Sequence, residues 1–201
     1  MTNVWVLVLC AAIAYILGSI SFPYLFTKKI RHEDIREKGS GNAGTTNVLR
    51  NYGWGMGVLV FAGDVLKGLL AALIGMYLGG ELGLCVAGVF AVVGHNYSCF
   101  LRFKGGKGIA ATIGVLLIIQ TIPTLIIFAV AIIIVIATKI MSIGSIIGLI
   151  LSAVAAFVVA PDSVYQQIAV VIIAILGILS HRENIVRLIH GNERKLSLSK
   201  K

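Results

Sequence analysis

Long apolar stretches separated by short polar segments dominate the hydropathy pattern of the chain. Most are close to the roughly 20 helical residues, at 1.5 Å each, that cross the hydrocarbon core of a bilayer. The longest, Ile109–Thr138, contains Pro123, and proline disfavours helix at the residue before it, so we divide this stretch into two short helices around Pro123. The predicted helices are therefore Val4–Phe26, Trp54–Gly80, Leu82–Phe100, two within Ile109–Thr138, Ile140–Ala160 and Val164–Ser180.

Composition indicates an integral membrane protein. Of the 201 residues, 58% are hydrophobic and only 12% are charged, and the mean hydropathy is +0.99. Soluble domains carry about 25% charged residues, and disordered chains are polar and highly charged, so both classes are excluded. No soluble domain is visible between the apolar stretches, and we expect a single transmembrane domain over residues 1–201.

The positive charge is confined to a few segments. Segments 27–53, 99–108 and 181–201 hold all of the 17 Lys and Arg residues except Lys67 and Lys139. Basic loops of membrane proteins stay in the cytoplasm. Seven helices with the N-terminus outside place all three segments there, whereas six would put the basic C-terminal segment outside. The sequence predicts an all-α protein of seven transmembrane helices whose three basic motifs converge on the cytoplasmic face.

The first motif runs from Gly39 to Arg50. Its glycines allow tight turns and let backbone N–H groups approach a ligand closely, and Arg50 can bind an anion with two hydrogen bonds. Capping of the next helix would need only one or two of its polar residues, so an anion site is favoured. The expected ligand-binding residues are Ser40, Gly41, Asn42, Gly44, Thr45, Thr46, Asn47 and Arg50.

The second motif leads directly into the apolar helix at Ile109 and consists of Lys104, Gly105, Gly106, Lys107 and Gly108. Glycines followed by a helix N-terminus are typical of phosphate sites. The glycine spacing and the residue after Lys107 differ from a Walker A loop, which disfavours a magnesium nucleotide. On this motif alone, a flexible basic connector is an equally good interpretation.

The third motif follows the last apolar stretch. His181, Asn184 and Arg187 recur at helical spacing and can share one face. By itself, this segment favours a basic amphipathic helix on anionic headgroups. Within the apolar stretches, Asp64 and Lys67 lie three residues apart, and we expect them to pair, neutralising each other or bracing the loops, with a proton relay as the alternative. We expect His95 to be a hydrogen-bonded residue at a helix end, with a place in the site as the alternative.

At these three motifs the sequence resembles the bacterial membrane glycerol-3-phosphate acyltransferases that use acyl phosphate as donor, the PlsY family. The family pattern Ser-Gly-Asn-x-Gly-x-Thr-Asn followed by Arg matches Ser40–Arg50, and Phe-x-Gly-Gly-Lys-Gly matches Phe103–Gly108. The pattern His-Arg-x-Asn-Ile matches His181–Ile185, with Gly191 and Glu193 as its later glycine and glutamate. The motifs occur in order, and the resemblance spans essentially the whole chain.

The resemblance implies acyl transfer from acyl phosphate to the sn-1 hydroxyl of glycerol 3-phosphate, giving lysophosphatidic acid and inorganic phosphate. It implies a multi-pass enzyme of the bacterial inner membrane, with its site towards the cytoplasm, no metal or cofactor and no nucleic acid. Its partners would be the two substrates, membrane lipid and the enzyme that supplies acyl phosphate.

The same resemblance suggests roles for individual residues. Glycerol 3-phosphate would be held by Arg50, Lys107, His181 and Asn184, with Ser40 near the reacting centre. The backbones of 41–46 and 105–106 would hold the acyl phosphate, and Asp64, Lys67 and Glu183 would give structural support. We expect the substrate's own phosphate to take the hydroxyl proton while His181 orients it, with His181 as general base the alternative.

A transporter of phosphate or phosphorylated small molecules is the alternative function. Transporters usually place their sites near the membrane midplane and show related halves, and neither feature is visible here. A basic protein that interacts with membrane surfaces would explain the charge but not the ordered glycines. The sequence therefore favours the enzyme.

Overall fold

A computed structural model describes residues 3–196, and every regular element in that range is helical. Residues 197–201, the end of the predicted cytoplasmic segment 181–201, lie outside the described residues, as do residues 1–2. The α-helices are α1 (Val4–Ser19), α2 (Phe22–Arg31), α3 (Thr45–Asn96), α4 (Ile109–Ile119), α5 (Thr121–Thr138), α6 (Met141–Val159), α7 (Val164–Ser180) and α8 (Arg182–Ile189). Two short 3₁₀ helices, Ile35–Glu37 and Cys99–Leu101, lie in the loops.

The predicted stretch Val4–Phe26 is divided into α1 and α2. Ser21 starts the second helix, because its hydroxyl accepts a hydrogen bond from the Tyr24 N–H at 3.4 Å and proline follows in the first turn. The break leaves the Ile20 carbonyl without a helical partner, and Lys67 Nζ donates to it at 2.5 Å. A lysine of α3 thus stabilises the interruption in the preceding helix.

Glycines interrupt the 52-residue helix α3 at two points. Gly53 has φ 82° and Gly80 has φ 59°, a conformation that costs glycine little. At Gly80 the chain turns back, so that Gly75 and Gly83 face each other and leave no room for a Cβ atom on either. Residues 54–79 and 81–96 therefore form a tight helical hairpin, and its turn coincides with the predicted boundary at Gly80.

The predicted division of Ile109–Thr138 is present, but it lies at Gln120, which ends α4 and precedes α5. Pro123 falls in the first turn of α5, where a backbone N–H group would have no acceptor within the helix, so proline costs no hydrogen bond there. At 11 residues, α4 is about 16 Å long and shorter than the hydrocarbon core.

The described helices form a multi-pass membrane bundle. Four helical segments are long and apolar enough to cross a bilayer: Val4–Arg31, which joins α1 and α2, Thr45–Leu101, which contains the α3 hairpin, and the helices α5 and α6. A fifth results if α7 and α8, bent by 59°, count together. Ile133, Ile136 and Val158 are 65–73% exposed, as expected of side chains that contact lipid. Seven spans and their orientation stay predictions.

Small residues hold the bundle together. The central cluster of α1, α3, α4 and α7 is rich in buried alanine, and a Cβ atom at Gly18 or Gly68 would collide with the backbone of the facing helix. Such close approach is the usual way in which membrane helices associate. It brings the helix ends that carry the three motifs to one place.

Candidate active site

A polar cavity of about 130 Å³ lies at the end of the bundle where α3, α4 and α6 begin and α7 ends. Its wall includes the predicted residues Ser40, Asn42, Gly44, Thr45, Thr46, Asn47, Arg50, Asp64, Lys107, Gly108, His181 and Asn184. It also includes residues outside the predicted set, among them His95, Ser142, Arg187 and Glu193. The predicted residues outside the wall are Gly41, Lys67, Lys104, Gly105, Gly106 and Glu183.

Asn47 organises the first motif. Its buried side-chain amide donates hydrogen bonds to the carbonyls of Ile35, Lys38 and Asn42 at 2.9–3.1 Å, and its oxygen accepts one from the Ser40 N–H at 3.0 Å. The loop therefore winds around one amide, and the geometry gives Asn47 the task of shaping the loop.

The glycines of the second motif serve close packing. The Gly105 N–H donates to Asn96 O at 3.1 Å, and the Gly106 N–H donates to His95 O at 3.0 Å. Our expectation that these two N–H groups hold phosphate does not fit this geometry, because both are already engaged. The first turn of α4 offers N–H groups without intrahelical partners, and its residues Ile109 and Ala110 line the cavity.

His181 lies in the turn between α7 and α8. Its Nδ1 is 2.7 Å from the carbonyl oxygen of Gly177, which can only accept, so Nδ1 carries the proton and Nε2 is left as an acceptor. Burial lowers the pKa of His181 to about 4, and the imidazole is neutral at neutral pH. A group with so low a pKa is a weak general base, but its unprotonated Nε2 can accept a hydrogen bond.

Glu193 connects the third motif to α6. Its carboxylate accepts hydrogen bonds from Asn184 Nδ2 at 2.6 Å, Arg187 Nε at 2.7 Å and Ser142 Oγ at 3.2 Å. Lys107 Nζ in turn donates to Asn184 Oδ1. Burial opposes ionisation of Glu193, but the Arg187 and Asn184 hydrogen bonds outweigh it, and the net pKa is lowered. The glutamate thus positions an asparagine, an arginine and, through Asn184, a lysine.

Basic groups outnumber acidic ones at the cavity. Burial, followed by the nearby charge of Arg187, lowers the pKa of Lys107 to about 8. Arg50 donates from Nη2 to Arg194 O at 2.7 Å, while its Nε is buried and, among residues 3–196, has no hydrogen-bond partner. A cavity with this charge and an unused guanidinium N–H is suited to an anion.

The floor of the cavity contains a buried ionic cluster. Asp64 Oδ1 lies 2.8 Å from Lys67 Nζ and 3.6 Å from His95 Nδ1, and all three residues are buried. Asp64 and His95 face the cavity, whereas Lys67 lies behind them. Glu183, the third predicted support, is exposed. Its carboxylate lies 3.8 Å from Arg187 Nη1, and the two form a weak surface ion pair.

An apolar groove of about 480 Å³ adjoins the polar cavity. It runs between α3, α4, α5 and α6, and nearly all of its wall is aliphatic or aromatic. The two spaces share the wall residues Thr45, Phe61, Ile109, Met141 and Ser145. A molecule with an anionic head and a long apolar tail would fit both together.

Comparison with known sequences places the chain in one family. The glycerol-3-phosphate acyltransferase family model matches residues 8–191. A glycerol-3-phosphate acyltransferase of Thermoanaerobacter sp. (strain X514) is 47% identical over 189 residues, covering 94% of this chain and 95% of the relative. One of Clostridioides difficile (strain 630) is 40% identical, covering 96% and 97%.

Solved structures agree with the sequence relatives. The chain is similar to PlsY (YgiH), an integral membrane glycerol 3-phosphate acyltransferase, in its glycerol 3-phosphate form, with TM-score 0.89, 37% identity and coverage of 95% of this chain and 96% of that one. The lysophosphatidic acid form gives TM-score 0.87, 36% identity and 96% coverage of both chains. The chain therefore belongs to the glycerol-3-phosphate acyltransferase family.

Proposed function

We propose that the chain transfers a fatty acyl group from acyl phosphate to the sn-1 hydroxyl of glycerol 3-phosphate. The hydroxyl oxygen attacks the acyl carbonyl carbon, the bond from that carbon to the phosphate oxygen breaks, and lysophosphatidic acid and inorganic phosphate form. The observation that carries this proposal is the junction of a cationic cavity with an apolar groove through five shared wall residues. The named relatives support the same reaction.

Glycerol 3-phosphate binds to the basic side of the cavity. Arg50 has its Nε donor free, and Lys107 keeps two further N–H groups beyond the one that it gives to Asn184. Asn184 holds the lysine in position, and neutral His181 presents Nε2 to a substrate hydroxyl. Ser40, on the rim of the same cavity, lies near the reacting centre.

Acyl phosphate binds across the junction. Its phosphate meets the N-termini of α3 and α4, where Thr45, Thr46 and Ile109 line the cavity and first-turn N–H groups favour an anion. Its acyl chain extends into the apolar groove. Gly105 and Gly106 contribute by letting their loop pack against the end of α3, where His95 leaves no room for a Cβ atom on either glycine.

The hydroxyl proton passes to a substrate phosphate oxygen. His181, with a pKa of about 4, is too weak a base to hold this proton at neutral pH, but it can orient the hydroxyl through Nε2. His181→Gln should therefore keep much of kcat at saturating glycerol 3-phosphate. Complete loss of kcat with unchanged substrate binding would instead make His181 the base.

The proposed topology has seven spans with the N-terminus outside, in the bacterial inner membrane, and one domain over residues 1–201. In this orientation the cavity, which lies beside the first turns of α3, α4 and α6, faces the cytoplasm. Single cysteines at Lys28 and at Asp162, in a chain without its native cysteines, would test this with an impermeant maleimide. Labelling of the first only in inverted vesicles and of the second only in right-side-out vesicles is expected; the reverse would overturn the orientation.

The reaction is tested with purified protein in detergent. Phosphate release should require both palmitoyl phosphate and glycerol 3-phosphate, yield lysophosphatidic acid, and fail with palmitoyl-CoA. Acyl phosphate would come from a separate supplying enzyme, and adding such an enzyme with its substrates should replace palmitoyl phosphate. Folded protein without turnover on either donor would overturn the proposal, and uptake by liposomes would then test the transport alternative.

A further inference from the structure

The apolar groove has a definite length. Its wall residues on α6 begin at Met141 and end at Ser152, a distance of about 16 Å along the helix, and those on α5 run from Ile136 to Thr124, about 18 Å. One end opens into the polar cavity through the shared residues at Thr45 and Ser145. The other end lies deep in the bundle, beside the break between α4 and α5.

Buried polar contacts close the deep end. Gln120 Nε2 donates to Ser152 O at 3.1 Å, which ties the α4–α5 break to α6. Thr124 Oγ1 lies 2.7 Å from Gln120 O and 3.0 Å from Leu116 O. Gln120, Thr124 and Ser152 are each at most 5% exposed. Because an isolated polar group inside a membrane is costly, the hydrogen bonds made by Gln120 Nε2 and Thr124 Oγ1 hold the closure in place.

Gly148 leaves the groove open one helical turn before its deep end. An ideal Cβ atom at Gly148 would lie 3.7 Å from Ile127 Cγ2 and 3.9 Å from Ala131 Cβ, which are ordinary contacts. At Gly144, one turn earlier, a Cβ atom would lie 2.7 Å from Val135 Cγ2 and 2.8 Å from Ala131 O. Gly144 is thus needed for helix packing, whereas Gly148 leaves space that a side chain could fill.

We propose that Gly148 and the closure formed by Gln120, Thr124 and Ser152 set the length of acyl chain that the enzyme accepts. This inference rests on the proposed function, in which the groove holds the acyl chain of acyl phosphate. Gly148 lies one helical turn before the closed end, so the last part of a long chain passes it. A large side chain there shortens the usable groove without touching the polar cavity.

The test is Gly148→Leu, with kcat/KM measured for a series of saturated acyl phosphates from octanoyl to stearoyl. Each methylene excluded from the groove costs about fourfold in affinity, so palmitoyl phosphate should lose at least about tenfold while octanoyl phosphate changes little. The KM for glycerol 3-phosphate should stay unchanged. Replacing glycine within a helix by leucine raises helix propensity, which favours folding of the variant.

Two further variants make the test decisive. Val154→Leu adds volume on the face of α6 that is exposed to lipid, and it should keep the wild-type chain-length profile. Gly148→Ala should shift the optimum in the same direction as leucine by a smaller step. An unchanged profile in Gly148→Leu, or an equal loss at every chain length in both Gly148 variants, would overturn the ruler. The proposed function fails separately, if wild-type protein turns over no acyl phosphate at all.

Discussion

The polar cavity and the apolar groove share a wall but are built on different principles. In the cavity, hydrogen bonds to neighbouring groups fix the orientation of individual side chains. Three carbonyl oxygens accept from Asn47, the Glu193 carboxylate accepts from Asn184, and Gly177 O accepts from His181. The groove is enclosed by aliphatic and aromatic surface. The effect of a substitution in the cavity should therefore depend on the hydrogen-bonding groups of the new side chain, because hydrogen bonds are directional. The effect of a substitution in the groove should depend on side-chain volume alone, because apolar packing tolerates swaps of equal volume.

The cavity floor gives the largest expected effect. Asp64→Asn leaves the Lys67 ammonium buried without its counter-charge, which costs about 3–5 kcal/mol. The melting temperature in detergent should fall by roughly 10 °C. A second change, Lys67→Met in the same chain, removes the orphaned charge and should recover part of the loss. A single variant as stable as the wild type would contradict the ion pair.

Removal of the proposed anion-binding group Arg50 should follow in size. Arg50→Ala removes charge-assisted hydrogen bonds worth about 1.5–3 kcal/mol each, so kcat/KM for glycerol 3-phosphate should fall about a hundredfold. Lys29→Ala, an exposed basic residue of α2 outside the cavity wall, is the control and should stay near the wild-type value. Equal rates in the two variants would remove Arg50 from the site.

A substitution that keeps side-chain volume but alters hydrogen bonding tests directly whether the chemical identity of a cavity residue matters. Asn184→Asp replaces a donor by a carboxylate next to the Glu193 carboxylate, which now accepts from Asn184 at 2.6 Å. An unsatisfied contact of this kind costs about 1–3 kcal/mol, so kcat/KM should fall roughly tenfold or more. Asn192→Asp, at an exposed position of the same segment, should be nearly neutral. If Asn184→Asp left kcat/KM unchanged, side-chain shape alone would matter in the cavity as it does in the groove.

The charge of the cavity should show in its pH dependence. Lys107 has its pKa lowered to about 8, so its ammonium form, proposed to bind phosphate, predominates below about pH 7, is half lost at about pH 8 and disappears as pH rises further. The KM for glycerol 3-phosphate should therefore rise above about pH 8, by up to tenfold per pH unit. Lys107→Arg keeps its charge and should flatten the profile. A flat wild-type profile up to about pH 9 would contradict the lowered pKa.

The helices could be predicted far better than the contacts between them. Apolar stretches mark the helical segments because lipid contact demands apolar side chains over a fixed length, and the turn at Gly80 follows from the same pattern. The separate helix α2 was not predicted, because its start depends on one cap, Ser21, inside an apolar run. Pro123 and the polar residues before it indicated a break, and the structure places this break at Gln120, three residues before the proline.

The cavity shows the same limit at the level of side chains. Glycines, Arg50 and His181 could be singled out because their residue types carry chemistry wherever they lie. Ser142 could not, since a serine within an apolar stretch gives no sign that it will meet Glu193 across the bundle. The shaping role of Asn47 depends on the path of a whole loop, which residue type alone does not specify.

The groove gives the smallest expected effect, and this makes it the sharpest check on the comparison. Ile132, on the groove wall and 43% exposed, keeps its volume when replaced by leucine. Volume-conserving swaps cost less than about 1.5 kcal/mol in closed cores, and at this half-exposed position about half of that or less is expected, so kcat/KM for palmitoyl phosphate should stay within about fourfold. Asn184→Asp alters volume just as little, yet it should cost more because it alters hydrogen bonding. If Ile132→Leu reduced the rate as much as Asn184→Asp, the groove would be as specific in its contacts as the cavity, and volume alone could not govern it.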